Sequence, residues 1–270
     1  MTLSDIHDHY RSGYEANRLT DGAGRLEWLR TMEIIGRYFP SSPAMILDVG
    51  GGAGAYAIPL GRLGYRVKLI DPVARHIELA TAAAAEAGLQ RVSAELGDAR
   101  ELQAEDSSAD AVLFLGPLYH LTEKTDRASA IGEACRVLRP GGRIITAAIS
   151  RFASTCDGIR QGYLREAEFE HIVERDLTDG QHRNDTDNPC WFTTAYFHRP
   201  EELLAEVREG GFSDVEILAV EGPAWLSSRL EEWLQEEETT EILLRAIRRV
   251  ESEPSLWGAS AHLVAVGRKA

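Results

Sequence analysis

A carboxylate and a glycine cluster lie close together in residues 45–56, MILDVGGGAGAY. Asp48 ends an apolar run that is typical of a strand buried on both faces, and the glycines from Gly50 to Gly54 follow it. Glycines let a backbone turn sharply and approach a ligand, and the free N–H groups of a following helix then point at that ligand. Because Asp48 adds a negative charge, this segment favours a ligand that carries a cationic amino-acid group.

A second carboxylate, Asp71, follows the next predicted strand about twenty residues beyond the glycines. At the tip of a second strand it is placed to accept hydrogen bonds from both ribose hydroxyls of an adenosine. Gly50-x-Gly52-x-x-Ala55 also fits the dinucleotide fingerprint, so these residues leave a nicotinamide dehydrogenase open. Such an enzyme would gain nothing from the charge of Asp48.

Tyr119 and His120 are the candidates for catalysis. They lie in residues 116–121, GPLYHL, directly after a predicted fourth strand at 110–115. An imidazole has a near-neutral reference pKa, so His120 is suited to remove a proton from an acceptor. A capping or packing role explains His120 equally well, and packing is the favoured role for Tyr119.

The sequence offers no convincing metal site. His7-x-His9 lacks an apparent third ligand, and the three cysteines, Cys135, Cys156 and Cys190, lack metal-type spacing. An odd number of cysteines cannot all pair within the chain. We therefore expect no metal, reduced thiols and a cytoplasmic location.

The amino-acid composition limits which classes of partner are expected. The 270 residues include 43 Asp and Glu against 29 Lys and Arg, for a formal charge of -14. This charge repels nucleic acid and anionic membranes, so neither is an expected partner. Residues 1–10 lack the regions of a signal peptide, and no apolar run approaches membrane-spanning length.

The elements that must position these residues alternate between strands and helices, which predicts an α/β fold with a doubly wound, mostly parallel sheet. The predicted strands are 45–49, 65–71, 92–96, 110–115, 143–150, 213–220 and 262–267. The predicted helices are 25–39, one after the glycines with Pro59 in or just beyond its first turn, 73–87, one from Thr122 with Glu123 in its first turn, 200–209, 224–237 and 239–251.

The order of these features resembles the class I S-adenosylmethionine-dependent methyltransferases. The family's first motif, acidic-x-Gly-x-Gly-x-Gly, is matched by Asp48, Gly50, Gly52 and Gly54. Residues 133–142, EACRVLRPGG, are similar to the family's crossover before the fifth strand, and the matches together span residues 46–150. The resemblance implies a seven-stranded Rossmann-like sheet, S-adenosyl-L-methionine as cofactor and S-adenosyl-L-homocysteine as product.

The resemblance also implies further cofactor-binding residues. In the family an acidic residue after the third strand meets the adenine amino group, and Asp98 with the Ala99 backbone matches that position. Leu115 is a further expected cofactor-binding residue, because ligands bind at the tips of parallel strands. An N-terminal helix covers the cofactor in many relatives, and Tyr14 and Arg18 share a helical spacing that favours such a lid over a frayed leader.

The expected acceptor is a small molecule with an oxygen or nitrogen nucleophile, methylated without a metal. Where metal-dependent relatives carry ligating carboxylates, this chain has Gly116 and Pro117, and Gly-Pro-Leu-Tyr replaces the Asn/Asp-Pro-Pro-aromatic motif of base-amino methyltransferases. A nicotinamide dehydrogenase and a cofactor-binding protein without activity remain the alternatives.

We expect one methyltransferase domain over residues 1–270, acting as a monomer or a homodimer. Its parts are a lid segment at 1–24, a cofactor-binding core at 25–150, a lid insertion at 151–199 and the rest of the core at 200–270, with added helices at 224–251. An insertion of this size favours a functional lid over a structureless loop.

Overall fold

A computed structural model describes residues 19–186 and 188–270, so Tyr14 and Arg18 lie outside the described residues. The described strands are β1 (Met45–Val49), β2 (Arg66–Asp71), β3 (Val92–Leu96), β4 (Ala109–Phe114), β5 (Leu138–Ser150), β6 (Gln181–His182), β7 (Ala195–His198), β8 (Phe212–Ala219) and β9 (His262–Lys269). The described helices are α1 (Gly22–Tyr38), α2 (Ala57–Arg62), α3 (Ala74–Glu86), α4 (Pro117–His120), α5 (Lys124–Val137), α6 (Ala153–Gln161), α7 (Ala167–Asp179), α8 (Pro200–Glu209), α9 (Leu230–Trp233), α10 (Glu237–Arg248) and α11 (Pro254–Trp257). No described helix is both long and apolar enough to cross a membrane.

The chain forms two compact units, each assembled from separate segments. Unit 1 contains the described residues up to Ile34, Ala148–Leu203 and Ile217–Val264. Unit 2 contains Ile35–Ala147, Leu204–Glu216 and Ala265–Ala270.

A parallel sheet organises unit 2. Its strands lie in the order β3-β2-β1-β4-β5, each pair parallel, and β9 pairs with β5 and β8. In β1, the four residues from Ile46 to Val49 are all buried, because strands flank it on both sides. The predicted mostly parallel α/β fold is therefore confirmed, with nine strands in the described residues where seven were expected.

Several predicted elements agree with the structure. The predicted strands 45–49 and 92–96 and the helix 200–209 match β1, β3 and α8 to the residue. Pro59 is the third residue of α2, so it lies in the first turn, where a missing N–H costs no helical hydrogen bond.

Other boundaries were wrong for local reasons. The helix predicted at 224–237 is a 3₁₀ turn, Gly222–Leu226, followed by α9. The hydroxyl of Ser227 accepts a hydrogen bond from the Arg229 N–H, an arrangement that competes with a continuous helix. Likewise, α5 begins at Lys124 with Glu123 in the cap position, rather than at Thr122.

The strand predicted at 143–150 begins earlier, at Leu138. Its first residues contain the predicted Arg-Pro-Gly-Gly turn, and Gly141 has a positive φ of 78°. The pairing with β4 shifts between Ala109 and Ala111, which accommodates the extra residues as an irregularity.

The described residues of the segment 151–199 belong to unit 1 and form helices and strands of their own. Its helix α7 contributes Phe169, Ile172 and Val173 to an apolar cluster that Trp191 completes. The sequence analysis assigned no strand to this segment, yet β7 pairs in parallel with the end of β5. Two of the four β7 residues are His198 and Tyr196, so the strand lacks the apolar run that signals a buried strand.

Candidate functional site

The glycine turn after β1 needs its glycines for conformation. Gly50, Gly52 and Gly54 have φ values of 73°, 55° and 92°, in the left-handed region that other residues rarely adopt. The N–H of Gly50 donates to the Ile70 carbonyl, which fixes the turn to the end of β2. A Cβ at Gly52 would meet no atom of the described residues within 4 Å, so the turn is open at that point.

Asp48 lies directly beneath this turn. A Cβ at Gly51 would lie 2.6 Å from Oδ2 of Asp48, so only glycine lets the backbone cover the carboxylate. The Asp48 side chain is 0 % exposed, and neither of its oxygens has a hydrogen-bond partner among the described residues. Burial, with a smaller contribution from the charge of Asp71, raises its pKa to about 7.

Such a carboxylate is costly in the ligand-free protein. Burying an ionised carboxylate without compensation costs roughly several kcal/mol of folding free energy. The group therefore tends to take up a proton. A cation bound at the turn would offset that cost by attraction to the carboxylate. Asp48 therefore places a buried carboxylate beneath a turn whose backbone the glycines leave open.

Asp71, at the end of β2, is buried and already bound to three donors. Its Oδ2 accepts from the Gly52 N–H at 2.9 Å, and its Oδ1 accepts from the Val73 N–H and contacts Nδ1 of His76, both at 2.9 Å. A carboxylate offers about four lone-pair positions, so about one is left. Binding of both ribose hydroxyls stays a prediction, and it requires one of these donors to yield.

Asp98 and Ala99 follow β3, as expected, but Asp98 is engaged locally. Its carboxylate accepts from the Arg100 guanidinium at 2.6 Å and from the Arg100 N–H at 2.8 Å. The hydrogen bonds from Arg100 hold the pKa of Asp98 below its usual range. Arg100 also pairs with Asp126 at 3.0 Å, and contact of Asp98 with adenine stays a prediction.

The loop after β4 touches the glycine turn. A Cβ at Gly50 would lie 2.8 Å from Cδ of Pro117, and one at Gly116 would lie 3.3 Å from the Gly50 carbonyl oxygen. Leu115 forms the bend between β4 and α4. The two loops that the sequence assigned to cofactor and catalysis are thus brought together.

Tyr119 and His120 lie on the short helix α4 that this loop begins. The Tyr119 hydroxyl donates to the Leu115 carbonyl at 2.7 Å, which closes the helix onto the end of β4. His120 is 9 % exposed, and its ring centroid lies 4.7 Å from that of Tyr119 with the planes tilted by 58°. Tyr119 therefore has a structural hydrogen bond, and His120 is held beside it.

A buried ion pair anchors the chain that follows. Arg127 donates to Glu206 through Nη2 and Nε, at 2.7 and 2.9 Å, and through Nη1 to the carbonyls of Leu121 and Thr122. Both charged side chains are buried. This arginine ties α5 and α8 to the residues directly after His120.

Comparison with known proteins supplies the family. The methyltransferase domain family matches residues 46–142 of this chain. An uncharacterized methyltransferase of Mycobacterium tuberculosis is 32 % identical over 188 residues, which cover 70 % of this chain and 66 % of that protein. Residues 46–142 belong to the methyltransferase domain family, as the resemblance to the class I S-adenosylmethionine-dependent methyltransferases predicts. The chain spans just under two thirds of the length of the Mycobacterium tuberculosis relative.

Two further likenesses agree with this methyltransferase family. A ubiquinone biosynthesis O-methyltransferase of Methylocella silvestris is 37 % identical over 112 residues, 42 % of each chain. A solved structure from Thermotoga maritima, described as an S-adenosylmethionine-dependent methyltransferase and possible histamine N-methyltransferase, covers 98 % of this chain and 99 % of its own. Its TM-score is 0.59 at 20 % identity, which shows a shared fold.

The methyltransferase site fits the cofactor that the family implies. S-Adenosylmethionine carries an α-ammonium and a sulfonium, and the buried carboxylate of Asp48 lies beneath the turn. The open space at Gly52 leaves the backbone of the turn accessible.

Three contacts around the candidate site were missed from the sequence. His76 binds Asp71, Pro117 packs on Gly50, and Arg127 anchors the chain after His120. Arg127 lies four residues before Ile131, on the buried face of α5, and that spacing could have revealed it. No local pattern marks the other two.

Proposed function

We propose that this chain transfers the methyl group of S-adenosylmethionine to an oxygen or nitrogen nucleophile of a small-molecule acceptor. The observation that carries the proposal is Asp48, a fully buried carboxylate without a hydrogen-bond partner among the described residues, beneath a glycine turn. A cofactor with a cationic amino-acid group compensates that charge, whereas the pyrophosphate of a nicotinamide cofactor would be repelled by it.

The residues of the chain then have distinct roles. Bound S-adenosylmethionine supplies an electrophilic methyl carbon for in-line displacement. Asp48 offsets the positive charge of the cofactor, Gly50, Gly52 and Gly54 let the backbone approach it, and Asp71 holds the turn in shape. Positioning of this kind and exclusion of water account for most of the catalysis that such a displacement requires.

His120 is proposed as the general base for acceptors that must lose a proton. It lies on α4, whose first residue, Pro117, packs against the glycine turn. Tyr119 positions it, because the Tyr119 hydroxyl fixes the helix to Leu115 while its ring packs on the imidazole. An imidazole suits this task near neutral pH.

A small acceptor and a metal-free transfer step are supported by the residues after β4. Gly116 and Pro117 occupy the positions at which metal-dependent relatives place carboxylates, and both are buried. The formal charge of -14 opposes a nucleic-acid acceptor. The likeness to the Methylocella silvestris protein, a ubiquinone biosynthesis O-methyltransferase, is consistent with a small acceptor. The three free cysteines are consistent with the proposed cytoplasmic location.

Ligand-dependent melting tests the proposal. A ligand at one hundred times its dissociation constant stabilises the folded chain by about 2.7 kcal/mol, which raises the melting midpoint measurably. We expect this shift with S-adenosylmethionine and S-adenosylhomocysteine and none with NAD. A shift with NAD alone would overturn the assignment in favour of a dehydrogenase.

A turnover assay distinguishes an enzyme from a cofactor-binding protein without activity. The purified chain is incubated with S-adenosylmethionine and a panel of phenols, carboxylates and amines, and S-adenosylhomocysteine is quantified. We expect acceptor-dependent product. Tight cofactor binding without product from any acceptor class would favour the non-catalytic alternative.

A further inference from the structure

Unit 1 holds a cluster of three metal-ligating side chains, separate from the residues proposed for methyl transfer. Glu27 lies on α1, Glu221 follows β8, and His262 begins β9. One ligand atom from each side chain lies within 4.8 Å of the other two. Glu221 is 1 % exposed and Glu27 9 %, so these are not the exposed acidic groups that commonly gather on surfaces.

The orientation of Glu221 is set by its neighbours. Its Oε2 accepts from the Ser260 hydroxyl at 2.8 Å and from the His262 N–H at 3.0 Å. Ser260 in turn accepts from the N–H groups of Glu221 and Gly222. One oxygen of the carboxylate is thus fixed by outer partners, and the other, Oε1, is directed at the His262 ring. Fixed ligands of this kind are typical of metal sites.

The three donor atoms converge on one point. His262 Nδ1 lies 2.6 Å from Glu221 Oε1 and 3.6 Å from Glu27 Oε2. Donor atoms of a four-coordinate site with bonds of about 2.0–2.2 Å lie about 3.4 Å apart. The second distance already fits, and the first is a hydrogen-bond distance that lengthens when an ion replaces the shared proton.

Charge also favours a cation at this position. Two carboxylates outnumber the single imidazole, so the three side chains together keep a negative charge even when His262 is protonated. Buried charges are stabilised when they are paired or coordinate a metal. We propose that Glu27, Glu221 and His262 bind one divalent transition-metal ion, Zn²⁺ or Mn²⁺, which joins α1 to the chain at β8 and β9. One nitrogen and two carboxylate oxygens are ligands that such ions accept.

Metal content and melting test this site without reference to methyl transfer. The full, tag-free chain is stripped with EDTA, desalted, incubated with Zn²⁺ and, separately, Mn²⁺, and passed through gel filtration before elemental analysis. We expect one ion per chain with at least one of the two metals. The melting midpoint should rise by about 5 °C at saturating metal.

The metal affinity of variants at the proposed ligands tests where the ion binds. Glu27→Gln and Glu221→Gln preserve side-chain shape but remove a ligand charge, and each should lose at least about tenfold in affinity. If Glu221→Gln fails to fold, Glu27→Gln still decides. Ser260→Ala leaves all three ligands in place and should weaken binding by about 10–100-fold through Glu221.

The matched control is Asp176→Asn. Asp176 forms a buried carboxylate–imidazole pair with His182 Nδ1 at 2.9 Å, also in unit 1, and it lies outside the cluster. This variant should lose stability yet retain metal like the wild type. A wild-type chain that retains neither metal, or undiminished binding in Glu27→Gln, would overturn the proposal.

Discussion

The backbone N–H of Gly52 donates a hydrogen bond to Oδ2 of Asp71 at 2.9 Å, across the gap between the glycine turn and the end of β2. The other oxygen of the same carboxylate binds the start of α3 through the Val73 N–H. Asp71 thereby shapes the turn before any ligand arrives. Its substitution should affect folding and binding together.

Replacing Asp71 with alanine should weaken S-adenosylmethionine binding by about 1–3 kcal/mol, because the turn loses its charged acceptor and the ligand loses a hydrogen-bond partner. The melting midpoint should also fall. Isothermal titration and a thermal melt on one preparation measure both. The exposed Asp106, paired with Arg136, gives the control Asp106→Ala, which should change neither. Wild-type affinity in folded Asp71→Ala would place the ribose elsewhere.

Stability should depend on pH through Asp48. Its pKa rises from 3.8 in the unfolded chain to about 7 in the folded one, so between these values only the folded state holds the proton. The resulting stabilisation is complete below pH 3.8 and is lost as pH rises to about 7. At about 1.4 kcal/mol per pH unit, the loss reaches roughly 4 kcal/mol as an upper limit.

Asp48→Asn removes this titrating group. The ligand-free variant should therefore be more stable than the wild type above about pH 7, by up to roughly 4 kcal/mol, and nearly equal to it near pH 4. Urea unfolding at both pH values measures the difference. Cofactor affinity should fall in the same variant, since the neutral amide no longer attracts the ammonium. A difference that is constant across pH would mean that Asp48 stays ionised.

His120→Ala should lower the single-turnover rate by roughly 10²–10⁴ while cofactor affinity stays nearly unchanged, because the imidazole acts in the transition state. This expectation holds for an acceptor that must be deprotonated. Tyr119→Phe keeps the imidazole and the ring against it but removes the hydroxyl bonded to Leu115, so its rate should fall less than that of His120→Ala. A folded His120→Ala at full rate would leave proximity as the source of catalysis.

Arg127→Met should destabilise the chain by about 3–5 kcal/mol, because it leaves a buried carboxylate without its guanidinium. The double variant Arg127→Met/Glu206→Leu removes both charges and should recover much of that loss. Chemical denaturation of the two single variants and the double variant gives the coupling energy. A loss below about 1 kcal/mol in Arg127→Met would show that the pair contributes as little as an exposed one.

The cofactor turn and most of the sheet could be predicted because their signals are local. β1 reads as an unbroken apolar run, and Gly50, Gly52 and Gly54 are needed where the structure has positive φ. The predicted strand 92–96 ends where β3 ends because Gly97 interrupts the run. In each case the deciding residues lie within a few positions of one another.

Other features depend on partners distant in sequence. β7 pairs with the end of β5, which lies some forty-five residues earlier in the chain. No pattern in the residues around Ala195 indicates that pairing. The Arg127–Glu206 pair joins positions 79 residues apart. The sequence assigns Asp71 to the cofactor by position alone, whereas in the folded chain Gly52, Val73 and His76 already bind it.

The segmented composition of the two units has a consequence for the newly made chain. Unit 2 includes Ile35–Ala147 but also Ala265–Ala270, with the whole of Ala148–Leu203 and Ile217–Val264 translated in between. At about 5–20 residues per second, a ribosome needs on the order of ten seconds to cross that interval. Throughout it, β5 has been synthesised while its neighbour β9 has not. The nascent chain therefore presents an unpaired strand edge for seconds, and such an edge is prone to pair with another chain.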